Sequence, residues 1–460
     1  MKETATLIQP RTLPGFMELA PRDQLVFEHM RRTLEEVYQL YGFFPLDTPV
    51  LEYSDILLAK AGGETEKQIY RFQKGDTDLT MRFDLTVPLA KYVAKNAGEL
   101  VFPFRRYQIG KVYRGERAQR GRFREFYQSD IDIIGDGSLS IENDAEIPSV
   151  IYTLFRRLGL EDFTIRVNNR KVLSGFFDRL GLGKMTGDIL RTVDKIDKIG
   201  ANNVKKELTE TFGVAQDATE KILAFIGLHG KNEDIIRSLR AIAEGSPMFS
   251  EGVEELDHVC RSIVAFGVPE ENFRIDLSIA RGLDYYTGTV YETTFNRHPE
   301  IGSICSGGRY DNLAGFYTDR KLPGVGISIG LTRLFFILNE KNYLDRTNNA
   351  PAHVLILPMT DDLSPAIRTA TVLRDAGIRT QIYTENKKFK AKIGYADKLG
   401  VPFALILGED EIAVGTVTLK DMTTGEQFTE PLADALTRIR RVAEEAANAP
   451  VIRIDSSVDR

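Results

Sequence analysis

Arg114-Gly-Glu-Arg-Ala-Gln-Arg-Gly-Arg-Phe-Arg-Glu-Phe-Tyr-Gln-Ser-Asp130 places a basic loop, centred on Gly121, between two stretches of strand character. On its C-terminal side Gln128 to Ile134 alternates: Ser129, Ile131 and Ile133 face one way, Gln128, Asp130 and Asp132 the other. An arginine at the end of a strand, here Arg114, can grip a phosphate with two parallel hydrogen bonds, which lysine cannot. Phe126, near the start of the second strand, can support a purine ring. From Arg105 to Arg124 eight basic residues face one acid, Glu116, and the run is threaded with Phe104, Tyr107, Tyr113, Phe123 and Phe126. Guanidinium groups mixed with aromatic rings both stack on bases and neutralise phosphate. Taken alone, the stretch also fits a charged hairpin on a surface, so its meaning depends on what surrounds it.

Upstream, residues 22 to 41 carry Val26, Met30, Leu34, Val37, Tyr38 and Tyr41 at three- and four-residue steps, which predicts an amphipathic helix. Pro21 suits its first turn and Gly42 its exit. Phe43 to Glu52 holds two prolines and predicts an edge or interface strand; Thr80 to Arg82 predicts another. Residues 171 to 271 change texture, rich in Lys, Glu, Leu and Ile at helical spacing, and predict a helical insertion. Strand patterning returns at Phe273 to Ala280 and Thr289 to Phe295. Gly302 to Tyr310 is glycine-rich and compact, and Gly324 to Asn339 predicts a strand running through a glycine hinge into an apolar helix. After a polar linker, 341 to 350, strands at Val354 to Leu357, Arg379 to Tyr383 and Phe403 to Leu407 alternate with helix-length segments, predicting a small α/β domain with a partly parallel sheet. Its last helix is expected at about 432 to 447, with a disordered tail beyond. The expected organisation is a core in two parts, 1–170 and 272–340, the insertion 171–271, the linker, and a C-terminal domain, 351–460.

The 460 residues are 42% hydrophobic and 27% charged, ordinary for a globular protein. No run reaches the eighteen or so apolar residues of a membrane helix, Met1 to Pro10 lacks a secretory pattern, and Cys260 and Cys305 are too few for a disulfide framework, so the expected home is the cytoplasm. The net charge of −6 does not exclude a nucleic-acid partner, because phosphate binding depends on local clusters. A second cluster has five lysines between Lys387 and Lys398, opposed only by Asp397.

Four stretches carry a common resemblance. The Arg114–Asp130 region resembles motif 2 of class II aminoacyl-tRNA synthetases, and Gly324-Val-Gly-Ile-Ser-Ile-Gly-Leu-Thr-Arg333 resembles motif 3. Arg281-Gly-Leu-Asp-Tyr-Tyr-Thr-Gly-Thr-Val-Tyr-Glu292 and Ser303-Ile-Cys-Ser-Gly-Gly-Arg-Tyr-Asp311 resemble the two signatures of histidyl-tRNA synthetases. Phe43 to Glu52, with Pro49, is similar to motif 1, which lies at the dimer interface in this class. Lys387 to Gly400 and Gly408 to Lys420 resemble the family's anticodon-binding domain. The resemblance implies an α/β protein whose α+β catalytic core is an antiparallel sheet flanked by helices, with a helical insertion, a C-terminal α/β anticodon-binding domain, and a homodimer.

It also implies roles. Arg114 and Arg281 would grip the α-phosphate of ATP, Arg281 standing where other class II enzymes place a catalytic magnesium. Arg122 and Arg333 would hold the outer phosphates, Glu116 and Phe126 would sit at the adenine, and Mg2+ would arrive bound with ATP, with no metal site of protein ligands. Asp84, Thr86 and Gln128 would hold the ammonium group of L-histidine. Asp132 and Tyr286 would address the two ring nitrogens, with Tyr285 beside them and Gly307 and Gly308 letting backbone approach the ligand. The third partner would be tRNA(His), its end bases read by the loop around Gln119. No histidine of the five (29, 229, 258, 298, 353) falls in these motifs, and Cys305 reads as a small buried residue. Locally, Asp84 can equally cap a helix at Val87 to Val93, and Asp132 can be an exposed strand carboxylate. The competing function is a histidine-binding regulatory paralogue serving the ATP phosphoribosyltransferase, which would lack the anticodon domain and have eroded the Arg281–Glu292 signature.

Overall fold

The computed structural model describes residues 7–59, 68–117, 120–279, 286–346 and 350–454, apart from the side chains at 197 and 198. An eight-stranded sheet organises the larger unit, Arg31–Lys341 with the described residues up to Glu18. Its strands are β1 (Phe44–Pro45), β5 (Phe104–Tyr113), β6 (Glu125–Ile134), β7 (Phe163–Asn169), β8 (Phe273–Ile275), β9 (Thr289–Phe295), β10 (Ser303–Tyr310) and β11 (Gly324–Ile329). They lie in the order β1-β5-β6-β11-β10-β9-β7-β8. The six central strands are antiparallel to one another, and only the edge pairs β1–β5 and β7–β8 are parallel. A small sheet, β2 (Leu51–Tyr53), β4 (Thr77–Met81) and β3 (Arg71–Lys74), stands beside it in the order β2-β4-β3.

The strands follow the expected alternation, with one consequence for the site. On β6, Ser129, Ile131 and Ile133 are fully buried against helices, among them Pro21–Leu40, whose Val26, Met30, Leu34, Val37 and Tyr38 are all inaccessible. The tyrosine hydroxyl reaches Ser129 Oγ at 2.7 Å. The opposite, polar face of β6 is buried too: Gln128, Asp130 and Asp132 are 9%, 1% and 4% exposed. Carboxylates are rarely buried without partners, so this face marks the site. The glycine-rich, compact stretch contains a full strand of eight residues, β10. β8 stops at Ile275, because Asp276 turns back to accept hydrogen bonds from the Ser278 amide (3.0 Å) and hydroxyl (2.6 Å).

Helices from Arg170–Arg179 to Pro247–Ala265 fill the insertion, and its core includes Phe176 stacked on Phe225 at 3.8 Å between centroids. The second unit, Asn342–Arg460, also takes Leu19–Met30, the start of the first helix. Within that unit Arg346 pairs with Asp23 at 3.0 Å and Arg22 donates to Lys398 O at 2.7 Å. Its five-stranded sheet runs β13 (Thr380–Ile382), β12 (Val354–Pro358), β14 (Phe403–Leu407), β15 (Thr416–Asp421), β16 (Gln427–Pro431). The first two pairings are parallel and the last two antiparallel. The last helix is Leu432–Asn448. The chain beyond it does not drift off at once: Val451 and Ile452 are 2% exposed, and Ile452 bridges to Leu344. No helix among the described residues is long and apolar enough to cross a membrane.

Candidate active site

The polar face of β6 floors a cavity of about 570 Å³. Strand ends and loops from five separate stretches wall it, bringing together Asp84, Thr86, Arg114, Glu116, Arg122, Phe126, Gln128, Asp132, Tyr286, Gly307 and Arg333. Arg281 and Tyr285 lie outside the described residues, as does Gln119. Gly308 does not line the cavity. A Cβ there would meet Thr289 O at 2.6 Å and the Tyr286 ring at 3.0 Å, so this glycine admits the tyrosine ring rather than the ligand.

At one end the motif 2 hairpin shapes a place for an anion and a flat ring. Arg114 donates from Nε to Phe83 O at 3.0 Å and lies over the Phe126 ring, 5.1 Å from its centroid. Arg114 also lines the cavity, and the aromatic face beneath it restrains the guanidinium. Glu116 stands 3.7 Å from Arg122, both partly exposed. Gly121, at φ +70°, turns the loop back over the helix Leu331–Glu340, where Phe123 meets Phe336 edge-on at 5.5 Å and Arg120 grips Glu340 at 2.8 Å. Arg333, in that helix's first turn, donates to Ile301 O while lining the cavity.

At the other end the chemistry is acidic. Asp84 accepts from the Val87 amide at 3.0 Å, so it does cap the helix Thr86–Asn96, and it is also 5% exposed on the cavity wall. Burial pushes its carboxyl up, while the Val87 amide and Arg114 oppose the shift. Gln128 donates to Ser328 Oγ at 2.7 Å. Asp132 is not the exposed strand carboxylate that its local sequence allows. Arg106 Nη2 reaches its Oδ2 at 2.6 Å and the Tyr310 hydroxyl donates to its Oδ1 at 2.7 Å. Burial pushes it up to about 6, against Arg106 and Tyr310. Gly326 lies against it: a Cβ there would meet Asp132 Oδ1 at 2.3 Å. Cys305 is buried on the cavity wall and burial raises its thiol, so it is no nucleophile.

Arg106, Asp130 and Tyr310 escaped the sequence reading. Arg106 was present in the basic run, but only the ladder register, which sets it opposite Asp132, distinguishes it from its neighbours. A cavity with several cations at one end and buried carboxylates at the other suits a nucleotide beside a small zwitterion carrying a polar ring.

Comparison with known proteins agrees with that chemistry. A model of the histidyl-tRNA synthetase family matches residues 15–334, and one of an anticodon-binding domain matches residues 353–442. The histidine–tRNA ligase of Clostridium tetani is 54% identical over 435 residues, 94% of this chain and 99% of that protein. The histidyl-tRNA synthetase structure from Nostoc sp. PCC 7120 superposes with a TM-score of 0.88 at 40% identity, covering 95% of this chain and 100% of that one. A protein from Bacillus halodurans C described as an ATP phosphoribosyltransferase regulatory subunit/histidyl-tRNA synthetase shares the fold, with a TM-score of 0.71 at 20% identity over 88% of this chain and 99% of that one.

Proposed function

The chain belongs to the histidyl-tRNA synthetase family, and from that premise we propose that it is a histidine–tRNA ligase whose cavity binds ATP at the Arg114 end and histidine at the Asp132 end. One observation carries the reading: residues far apart in sequence, Asp84, Arg114, Asp132, Tyr286 and Arg333, wall a single cavity. The regulatory alternative is disfavoured by the anticodon-binding match at 353–442 and by the intact Arg281–Glu292 sequence.

The histidine carboxylate is ionised at neutral pH, so its attack on the α-phosphorus needs no general base. It needs alignment and cations around the transferring phosphoryl group. Arg114 fills that role at the α-phosphate, joined by Arg281 on the family resemblance, while Arg122 and Arg333 take the outer phosphates and Glu116 and Phe126 the adenine. Asp84, Thr86 and Gln128 take the ammonium group; Asp132 accepts from one ring nitrogen, and Tyr286, with Tyr285 near it, meets the other. The tRNA's terminal ribose hydroxyl then displaces AMP.

Among the described residues no group of three or more His, Cys, Asp or Glu is arranged to hold a metal ion. If Mg2+ arrives with ATP, it would do so at the arginine-rich nucleotide end. Bound there, the ion supplies further neutralisation of phosphate charge. We assign the enzyme to the cytoplasm on its two cysteines, too few for a disulfide framework, and a homodimeric state on the motif 1 resemblance.

Histidine-dependent ATP–pyrophosphate exchange tests the assignment. Asp132→Ala should raise the KM for histidine about 10- to 100-fold, with the KM for ATP unchanged, because a ring nitrogen loses its acceptor in a buried site. Arg114→Ala should lower kcat by roughly 10²- to 10³-fold, and Arg281→Ala should nearly abolish exchange. An Asp132→Ala enzyme with the wild-type histidine KM would remove Asp132 from the ring subsite.

A further inference from the structure

Beneath the ring subsite two buried carboxylates share one buried guanidinium. Arg106 is wholly inaccessible; Asp130 and Asp132 are 1% and 4% exposed. Arg106 and the Tyr310 hydroxyl both serve Asp132, at 2.6 and 2.7 Å. Neither oxygen of Asp130 has a hydrogen-bond partner among the described residues, nor do Arg106 Nε, Arg106 Nη1 or Gln128 Oε1. An ionised carboxylate in that condition is costly, and one cation cannot neutralise two buried anions. Because Asp132 holds the ion pair, Asp130 is the member of the pair that gives up its charge when solvation is lost.

We propose that Asp130 and Arg106 are positioning residues for the ring subsite, and that histidine binding draws one proton from the solvent onto Asp130, so that the ring meets a single anion, Asp132. The inference rests on the assignment of Asp132 to the imidazole ring. An incoming neutral ring displaces water from above Asp132 and brings no charge of its own. The carboxylate pair beneath it then loses solvation, and the less well partnered member takes up the proton.

The surroundings of Asp130 offer no other outlet. On β5 it faces Arg106 and, directly across the ladder, Gln108, whose amide is spent on Asp47 at 2.8 Å. On β6 its same-face neighbours are Gln128 and Asp132. On β11 it pairs with Ser328, whose hydroxyl accepts from Gln128 and keeps its own proton to offer; that hydroxyl lowers the Asp130 carboxyl, although neither Asp130 oxygen makes a hydrogen bond of normal geometry. Cys305 on β10 and Asp84, ahead of the helix Thr86–Asn96, are close enough to interact with it, both unfavourably when ionised; Tyr38 lies behind the sheet. In the free site burial pushes Asp130 up to about 7, with Arg106 opposing and Asp132 and Asp84 adding to the rise. A group raised in this way is incompletely protonated in the free site at pH 7.5, which leaves room for proton uptake on binding.

Calorimetric titration of the full-length enzyme with histidine at pH 7.5, in phosphate and in Tris, reads that proton from the difference in heats. The wild type should show net proton uptake of up to one proton per site, growing as the pH is raised, and Asp130→Asn should bind histidine with uptake near zero. Equal heats in both buffers for the wild type, or unchanged uptake in the variant, would overturn the proposal. Should Asp130→Asn not fold, histidine-induced infrared difference spectra of the wild type must show a new protonated-carboxyl stretch. Nitrogen NMR of ring-labelled histidine must then show the bound ring neutral, because a bound imidazolium would put the proton on the ligand and end the argument. Failure of the ring assignment looks different: histidine binding would then be indifferent to Asp132→Ala.

Discussion

Asp132 is held as an acceptor by two donors, the buried Arg106 and the hydroxyl of Tyr310 on the cavity wall. Tyr310→Phe removes one of them without changing shape, so the KM for histidine should rise about 3- to 10-fold, the worth of one hydrogen bond, with ATP kinetics unchanged; an unaltered KM would mean that Arg106 alone orients the carboxylate. Asp130 affects the fold as well. Its carboxyl is raised in the native state, so between about pH 4 and about 7 the native protein binds a proton that the unfolded chain has lost, and stability falls as pH rises through that window. Asp130→Asn has no such proton to lose. Its melting temperature should exceed the wild-type value by a few degrees at pH 7.5, with the gap closing towards pH 5; a gap independent of pH would place the effect in packing instead. At this scale the sequence showed residue type but not pairing. Arg114, Asp132 and Tyr286 could be named from their motifs, whereas Arg106 is one cation among eight in its run until β5 and β6 are set in register.

The elements were legible where pattern and propensity agree. Thr289 to Phe295 is β-branched and aromatic and forms β9 with those bounds, and Gly324 to Asn339 does break at Gly330 into strand and helix. They were not legible where packing overrides propensity. Two adjacent glycines weaken any strand reading of β10, yet the strand exists because β11 lies so close against it: a Cβ on Gly307 would sit 2.0 Å from Gly326 O and 2.6 Å from Ile327 Cα. Those are backbone atoms and cannot rotate aside. Gly307→Ala should therefore cost about 1–3 kcal/mol in urea unfolding and lower exchange activity with it, as the sheet opens beside Asp132. A wild-type urea midpoint for this variant would show that the two strands can separate without loss. The β15–β16 hairpin was missed although its alternation is plain in Thr416 to Lys420, because the helix–strand rhythm before it led the reading past the Thr424-Gly425 turn.

At the scale of the whole molecule, the first helix shows what sequence cannot divide. Its apolar stripe is continuous from Val26 to Tyr38, yet its start groups with Asn342–Arg460 and the rest with the larger unit. Assembly is likewise unwritten in composition. The motif 1 region leaves Phe44 and Tyr53 67% and 62% exposed, with Leu40, Leu51 and Phe72 exposed as well. In the small sheet Tyr53 and Phe72 both pair with Leu79, so the three form one apolar row across β2, β4 and β3. A row of this kind suits an interface, and on the motif 1 resemblance the proposed occupant is a second copy. Sedimentation of the wild type should give a dimer, and Tyr53→Asp combined with Phe72→Asp should give a folded monomer, because a symmetric interface meets each introduced charge twice. A wild-type monomer, or a double variant that still dimerises, would move the interface away from this row.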